Sequence, residues 1–308
     1  MNEIRGKRVG VLAGGPSNER EISLKSGRAV YSALIQGGVD TIFLDVYEDV
    51  HDIIKNNSID IVFIALHGRF GEDGTVQKIL EDRGIPYTGS GPEASRLALD
   101  KIASKDVFTN KGIPVPRYIV FEKDNFDIRD AQFTGLPLVV KPHLEGSSIG
   151  LSVVRDKSDL MRAINKAFRY GTKIILEEYI DGRELTVGIL DDEPLPVIEI
   201  VPKERVYDYK AKYSDPDTKY LVPAPIGDEL SEKAKRLGKL AHISLGCRSF
   251  SRADMMMDGS GNIFVLEVNT IPGMTERSLL PKAAEACGLS FGTLCVKLIE
   301  YALKGISK

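Results

Sequence analysis

Three short apolar runs dominate the first 89 residues: RVGVLAGG, TIFLDV and DIVFIALHG. Each reads as a buried strand. Between and after them, EREISLKSGRAVYSALIQGG has apolar residues at helical spacing and a Gly-Gly stop, and TVQKILEDRG reads as a short helix. IPYTGSG closes the unit. Strands alternating with helices restrict this part of the chain to a parallel sheet with helices on its faces. Ligands of such sheets sit beyond the carboxyl ends of the strands. Two loops leave those ends, at residues 14–19 and 67–74.

A second unit opens at Pro92-Glu93-Ala94. A helix through DKIASKDVFTNKG leads to strands in IPVPRYIVF, LPLVVKP, LSVVR and KIILEEYI, with a helix at DLMRAINKAFRYG. The remainder begins with ELTVGILDD and EPLPVIEIVP, then a polar Tyr/Lys-rich stretch at 203–225, a helix at SEKAKRLGKLAHISLG, a hairpin, and a C-terminal helix from Ser290. The expected organisation is α/β with α+β units, divided at 1–89, 90–179 and 180–308. Residues 203–225 form the only long loop, and loops of that length in compact domains are usually lids or disordered segments.

The hairpin carries the most chemistry. SRADMMMD and NIFVLEVN read as its strands, joined by a turn around Asp258-Gly259-Ser260-Gly261-Asn262. Strand side chains alternate faces, so Arg252 shares a face with Asp254, and Glu267 with Asn269. With residues 259–262 as the loop, 254 lies opposite 267 and 252 opposite 269. Like charges directly opposite destabilise a sheet, and a divalent cation between Asp254 and Glu267 would turn that repulsion into binding. Oxygen ligands on a rigid ribbon suit Mg²⁺ held together with substrate phosphates. The alternative is a hairpin whose charged face is merely solvated.

Other segments add to this patch. Val139-Val140-Lys141-Pro142 runs into His143-Leu144-Glu145-Gly146-Ser147-Ser148-Ile149-Gly150, a strand, a lysine and a flexible loop whose N–H groups can cover phosphates. It is not a Walker A motif. The strand end at Glu177, Glu178, Tyr179 and Ile180 can offer backbone groups to an adenine edge, with Glu184 at a distance suited to a ribose hydroxyl; an inter-domain strand is the plain alternative. Three tyrosines in Tyr207-Asp208-Tyr209-Lys210-Ala211-Lys212-Tyr213 suit a lid that excludes water, or else an exposed loop. His67 stands at a strand end, where a base or an oxyanion donor could sit. Glu19 could receive an ammonium or simply favour a helix N-terminus.

A net charge of −3 gives no electrostatic case for nucleic acid or an anionic membrane. No apolar run approaches the ~18–20 residues of a spanning helix, and the N-terminal run is too short and too early for a signal peptide. Cys247, Cys287 and Cys295 are odd in number and lack metal-ligand spacing, as expected of reduced thiols in a cytoplasmic protein.

Taken in order, GGPSNEREISLKSG, ALHGRFGEDG, VVKPHLEGSSIG, YDYKAKY and LEVNTIPGMTERSLLP resemble the motifs of the D-alanine–D-alanine ligases, in the ATP-grasp superfamily. The similarity runs from about Arg8 to the last helix. It implies a three-domain ATP-grasp fold: an N-terminal parallel-sheet domain, and ATP held between the central and C-terminal domains. It implies an acid–amino-acid ligase that phosphorylates one D-alanine with ATP, giving ADP, and lets the amine of a second D-alanine attack the acyl phosphate. Its product serves peptidoglycan synthesis in the cytoplasm, and the resemblance implies a homodimer.

Carried over by position, Lys101 and Lys141 resemble the phosphate lysines, and Glu177, Glu178, Tyr179, Ile180 and Glu184 the adenine and ribose pocket. Asp254, Glu267 and Asn269 match the ligands of two Mg²⁺ ions, for which Mn²⁺ can substitute, with Glu267 bridging. Arg252 and the backbone at Gly273 match the oxyanion stabilisers. Glu19 matches the carboxylate that holds the first ammonium, with Ser147 and Tyr213 as its hydrogen-bonded partners. Ser278 and the amide of Leu279 match the second carboxylate site, and His67 and Lys212 lie near the first substrate and the γ-phosphate. Glu178, Ser251 and Ile271 depart from the family pattern. The segment from Tyr207 to Tyr220 has no histidine, whereas relatives that make the D-lactate depsipeptide carry one there. That favours the dipeptide over a ligase that takes D-lactate or D-serine as second substrate.

Overall fold

The computed structural model of the chain describes residues 4–47, 50–133, 135–202 and 217–304. Its first sheet is parallel, with β1 (Val9–Gly14) between β2 (Thr41–Val46) and β3 (Ile61–Ile64). Helices α1 (Arg20–Gln36), α2 (Val50–Asn56) and α3 (Thr75–Asp82) belong to this unit. Both faces of the sheet are covered, which is why its strands are apolar on both sides. Val9, Val11 and Ala13 pack with Leu24, Val30 and Leu34 of α1, while Leu12 packs with Val76 and Leu80 of α3. Gly27 lets α1 lie close on β1: a Cβ there would stand 2.4 Å from that of Ala13.

Two helices follow, α4 (Pro92–Leu99) and α5 (Lys101–Asn110). They break at Asp100, whose carboxylate accepts the N–H groups of Ile102 and Ala103 and so caps α5. The second sheet is antiparallel in the order β4-β7-β5-β6, formed by β4 (Tyr118–Glu122), β5 (Leu138–Pro142), β6 (Ser152–Val154) and β7 (Lys173–Glu178). Leu138, Val140, Ile174 and Leu176 pack with α6 (Leu160–Ala167) in one apolar cluster. Alternation then turns Val139, Lys141 and Glu177 to the other face.

The third sheet has the order β11-β10-β8-β12-β13, with β9 paired to β8. Its strands are β8 (Gly182–Leu190), β9 (Glu193–Pro194), β10 (Ile198–Val201), β11 (Lys219–Leu221), β12 (Phe250–Asp258) and β13 (Ile263–Asn269). Leu185, Val187, Ala253, Met255 and Met257 share a cluster with Ala234 and Ala241 of α7 (Asp228–Ser244). The opposite face carries Glu184, Thr186, Arg252, Asp254 and Met256. Helices α8 (Leu279–Glu285) and α9 (Phe291–Lys304) end the described chain, and Leu294 and Leu298 of α9 return to the α1 side of the first sheet. Among the described residues no helix is long and apolar enough to cross a membrane. Cys247, Cys287 and Cys295 are free, and burial pushes the thiols of Cys247 and Cys295 up to about 12.

Candidate active site

The second and third sheets turn their uncovered faces toward each other, and a cleft lies between them. It is lined by Val139, Lys141, Val153, Glu177, Glu178, Tyr179 and Ile180 on one side, and by Glu184, Asp254, Met256, Leu266 and Glu267 on the other. Lys101, Gly146, Ser148 and Ile149 close one end. A link of residues 179–181 carries the chain from one sheet to the other, so its backbone runs along the cleft.

A second cleft opens at the carboxyl end of the parallel sheet. Glu19, His67, Glu72, Gly146, Ser147, Arg252, Asn269 and Gly273 line it. Lys101, Gly146 and Glu267 line both clefts.

The hairpin pairs Asp254 with Glu267 and Arg252 with Asn269. The expected register therefore holds at the site, but not at the turn. Met257 faces Ile263, and the Asp258 N–H donates to the Asn262 carbonyl at 2.9 Å, so the loop is one residue shorter than the sequence suggested. A bulge between Asp254 and Met255, opposite Leu266, restores the count. It also puts two consecutive residues, Leu266 and Glu267, into the cleft wall.

Each carboxylate of this patch has a cationic partner. Arg252 grips Asp254 with two parallel bonds, Nε–Oδ1 at 2.7 Å and Nη2–Oδ2 at 2.6 Å, and Thr186 Oγ1 donates to the same carboxylate at 2.6 Å. Lys101 Nζ lies 3.1 Å from Glu267 Oε2 and donates to the Glu145 carbonyl at 2.7 Å. Asn269 Oδ1 accepts the Ile271 N–H at 3.0 Å and keeps a second lone pair. Two facing carboxylates and an amide oxygen are a donor set of the hard kind that Mg²⁺ takes. Among the described residues no group of three or more His, Cys, Asp or Glu is placed so that it could hold a metal ion by itself.

In the first cleft, Glu177 is fully buried between two lysines. Lys105 Nζ lies 2.6 Å from Oε1, and Lys141 ion-pairs with Oε2. Burial pushes this carboxyl up, but Lys105 and Lys141 together outweigh it and hold it below the usual range. Glu178, the departure from the family pattern, turns its carboxylate to Arg117 Nε at 2.9 Å. The other departures are also accommodated: Ser251 Oγ meets His242 Nδ1 at 2.7 Å, and Ile271 packs in the apolar cluster with Leu12 and Leu66.

In the second cleft, Glu19 is buried and bonded to Ser147, so the first sheet's loop meets the glycine loop directly. Ser17 Oγ donates to the His67 carbonyl at 2.6 Å and ties the two carboxyl-end loops together. His67 Nε2 lies 3.0 Å from Ser26 Oγ, and Nδ1 lies 3.8 Å from Glu72. Burial alone would lower the His67 pKa, but Glu72 and then Glu19 outweigh it and hold it above its ordinary value. A raised value means that the stabilisation is complete below about pH 6.5 and is lost as pH rises through the folded-state value. Removing His67 therefore lowers the unfolding temperature more at pH 6 than at pH 9, as scanning calorimetry of His67→Gln will show. An equal loss at both pH values contradicts the raised value.

Some expected residues lie elsewhere. Ser278 and Leu279 are not in the lining of either cleft. Ser278 sits behind Gly273, where a Cβ would stand 3.0 Å from its Oγ, and it is bonded to Thr275 Oγ1 at 2.9 Å. Lys212 and Tyr213 lie outside the described residues. Lys105, Glu72, Ser26 and Thr186 belong to the site and were not expected. Lys105 had a signal: it lies four residues beyond Lys101, on the same helix face.

Comparison with known proteins shows the family of the chain. Residues 107–300 match the family model described as the D-ala D-ala ligase C-terminus, and 45–90 match the D-ala D-ala ligase N-terminus. The D-alanine--D-alanine ligase of Citrifermentans bemidjiense is 45% identical, over 98% of each chain. That of Trichlorobacter lovleyi is 47% identical, over 95% of this chain and 94% of the other. A crystal structure of the Bacillus anthracis D-alanine--D-alanine ligase complexed with ATP superposes with a TM-score of 0.87 at 34% identity, covering 98% of this chain and 99% of that one.

Proposed function

The chain belongs to the D-alanine–D-alanine ligase family and has its ATP-grasp fold, and from that premise we propose how its two clefts divide the work. It is an ATP-dependent ligase that joins two D-alanine molecules, releases ADP and phosphate, and supplies the dipeptide for peptidoglycan precursors. The observation that carries the assignment of the clefts is their junction. Lys101, Gly146 and Glu267 line both, so a phosphoryl group reaching the end of the first arrives beside a carboxylate held in the second.

The nucleotide occupies the first cleft. Its adenine lies along the backbone at Glu177, Glu178, Tyr179 and Ile180, its ribose at Glu184, and its phosphates under the glycine loop near Lys101 and Lys141. Asp254, Glu267 and Asn269 would hold Mg²⁺, as two ions sharing Glu267, which when bound neutralises charge on the phosphates. Phosphoryl transfer depends mainly on such positioning and neutralisation.

The first D-alanine occupies the second cleft, its ammonium on Glu19 and its carboxylate toward the junction near His67. Its carboxylate oxygen attacks the γ-phosphorus, and ADP leaves. The amine of the second D-alanine then attacks the acyl carbon, the C–O bond to the phosphorylated oxygen breaks, and phosphate departs with the former carboxylate oxygen and the proton the amine gives up. Arg252 and the Gly273 backbone face the oxyanion of that step, with Ser278 and the Leu279 amide behind them for the second carboxylate. The Glu19–Ser147 bond closes the glycine loop over the acyl phosphate, which water would otherwise hydrolyse. Three units, at 1–89, 90–179 and 180–308, a cytoplasmic location and a homodimer complete this reading.

Glu19→Gln replaces a charge-assisted contact with a neutral one. It raises KM for the first D-alanine by about 10- to 100-fold and leaves KM for ATP within threefold, as initial-rate kinetics will show. An unchanged KM for D-alanine rules Glu19 out as the ammonium site. The acceptor is tested by phosphate release over D-amino acid and D-hydroxy acid pairs at neutral pH. D-alanyl-D-alanine forms faster than D-alanyl-D-lactate or D-alanyl-D-serine. Equal rates would contradict the dipeptide assignment.

A further inference from the structure

Lys105 has no exposed surface and does not line either cleft; burial pushes its pKa down, and the Glu177 carboxylate against which its amine stands opposes that push. Burying a charge is costly unless it is paired, and apolar side chains often fill such places at no loss of stability. Its only close acidic contact among the described ion pairs is Glu177 Oε1, at 2.6 Å. The other oxygen of that carboxylate goes to Lys141, which does line the cleft. The Tyr118 ring lies 5.5 Å from the Lys105 ammonium and adds a second favourable contact.

This arrangement determines what charge the nucleotide meets. Lys141 paired with Glu177 alone would be an ion pair of no net charge, and a poor site for phosphates. With Lys105 on the opposite oxygen, two lysines share one glutamate, and the cluster keeps one net positive charge. That charge meets the cleft at Lys141, because Lys105 has no exposed surface. Helix α5 sets the geometry. Lys101 and Lys105 are one turn apart, so the same face that brings Lys101 to Glu267 brings Lys105 to Glu177.

Building on the assignment of the first cleft to ATP, we infer that Lys105 is a positioning residue for the nucleotide phosphates. It balances the Glu177 carboxylate from behind, so that Lys141 presents an uncancelled positive charge to the cleft. The effect depends on phosphate charge, which a general loss of packing would not.

The test compares ADP with adenosine by titration calorimetry on the full chain. Lys105→Met keeps the aliphatic stem and removes the charge. ADP affinity falls by at least about tenfold, adenosine affinity stays within threefold, and the ADP-to-adenosine affinity ratio falls accordingly. Adding Glu177→Gln to that variant removes the opposing charge and returns the ratio to within threefold of the parent's. If Lys105→Met alone does not fold, Lys105→Gln, which removes the charge but keeps a polar head for Glu177, carries the same test. Equal losses for both ligands, an unchanged ADP affinity, or a double variant whose ratio stays lowered tenfold would each overturn the inference. A parent chain that binds no ADP overturns the cleft assignment instead, and this inference with it.

Discussion

Glu267→Gln lowers D-alanine-dependent phosphate release by about a thousandfold while ADP still binds. Glu267 is the one carboxylate among the described residues that lines both clefts, and it holds Lys101 at 3.1 Å. The substitution keeps the shape and the hydrogen-bonding oxygen but removes the charge that divalent cations and the lysine share. A single preorganised electrostatic group at a reacting centre is typically worth 10²–10³ in turnover. In the proposed mechanism this residue would hold the divalent ions as well as Lys101, so the loss is expected at the upper end of that range. The side chain is partly exposed, so the isosteric change leaves the fold intact. Steady-state kinetics at saturating substrates, with ADP titrated separately, give the answer. Turnover within tenfold of the parent removes Glu267 from the centre of the mechanism.

Arg252→Met has the second-largest effect: kcat falls by about 10²–10³, with the KM for ATP changed by less than threefold. Arg252 and Gly273 both line the second cleft beside the junction, where the proposed mechanism puts the acyl carbon. The guanidinium is held in one plane by its two bonds to Asp254, so it is oriented before the oxyanion forms. An interaction made only in the transition state lowers kcat and kcat/KM together. A loss confined to KM would show instead that Arg252 binds ground-state substrate.

Much of this site was legible in the sequence. The buried apolar runs required a parallel sheet, and the sheet puts Glu19 and His67 at its ligand-binding end. Alternation along the hairpin put Arg252, Asp254, Glu267 and Asn269 on one face. The register at these residues nevertheless came out right through two compensating features. The turn is one residue shorter than the Gly/Ser/Asn composition suggested, and the bulge at Leu266 makes up the difference. No sequence period marks that bulge, because Leu266 is apolar where an ordinary strand residue would be apolar too.

The residues missed share one character: they act through another residue. Lys105, Thr186 and Ser26 contact Glu177, Asp254 and His67 from other elements, with up to 72 residues of separation for Lys105 and Glu177, while Glu72 reaches His67 from within the 67–74 loop. Local pattern cannot show such pairings. Helices α2 and α8 escaped for a different reason. Each has seven residues, two turns, too short for an apolar period to register. The placement of Ser278 and Leu279 behind Gly273 depends on where α8 begins, which the sequence left open.

The central claim is that the γ-phosphoryl group passes to the carboxylate of the first D-alanine at the junction of the two clefts. D-alanine labelled with heavy oxygen in its carboxylate tests this directly, with ATP, Mg²⁺ and the full chain. The acyl oxygen that takes the phosphoryl group must leave with it when the second amine attacks. Mass analysis of the released phosphate is therefore expected to show one labelled oxygen for each dipeptide formed. Dipeptide accompanied by unlabelled phosphate would contradict the account.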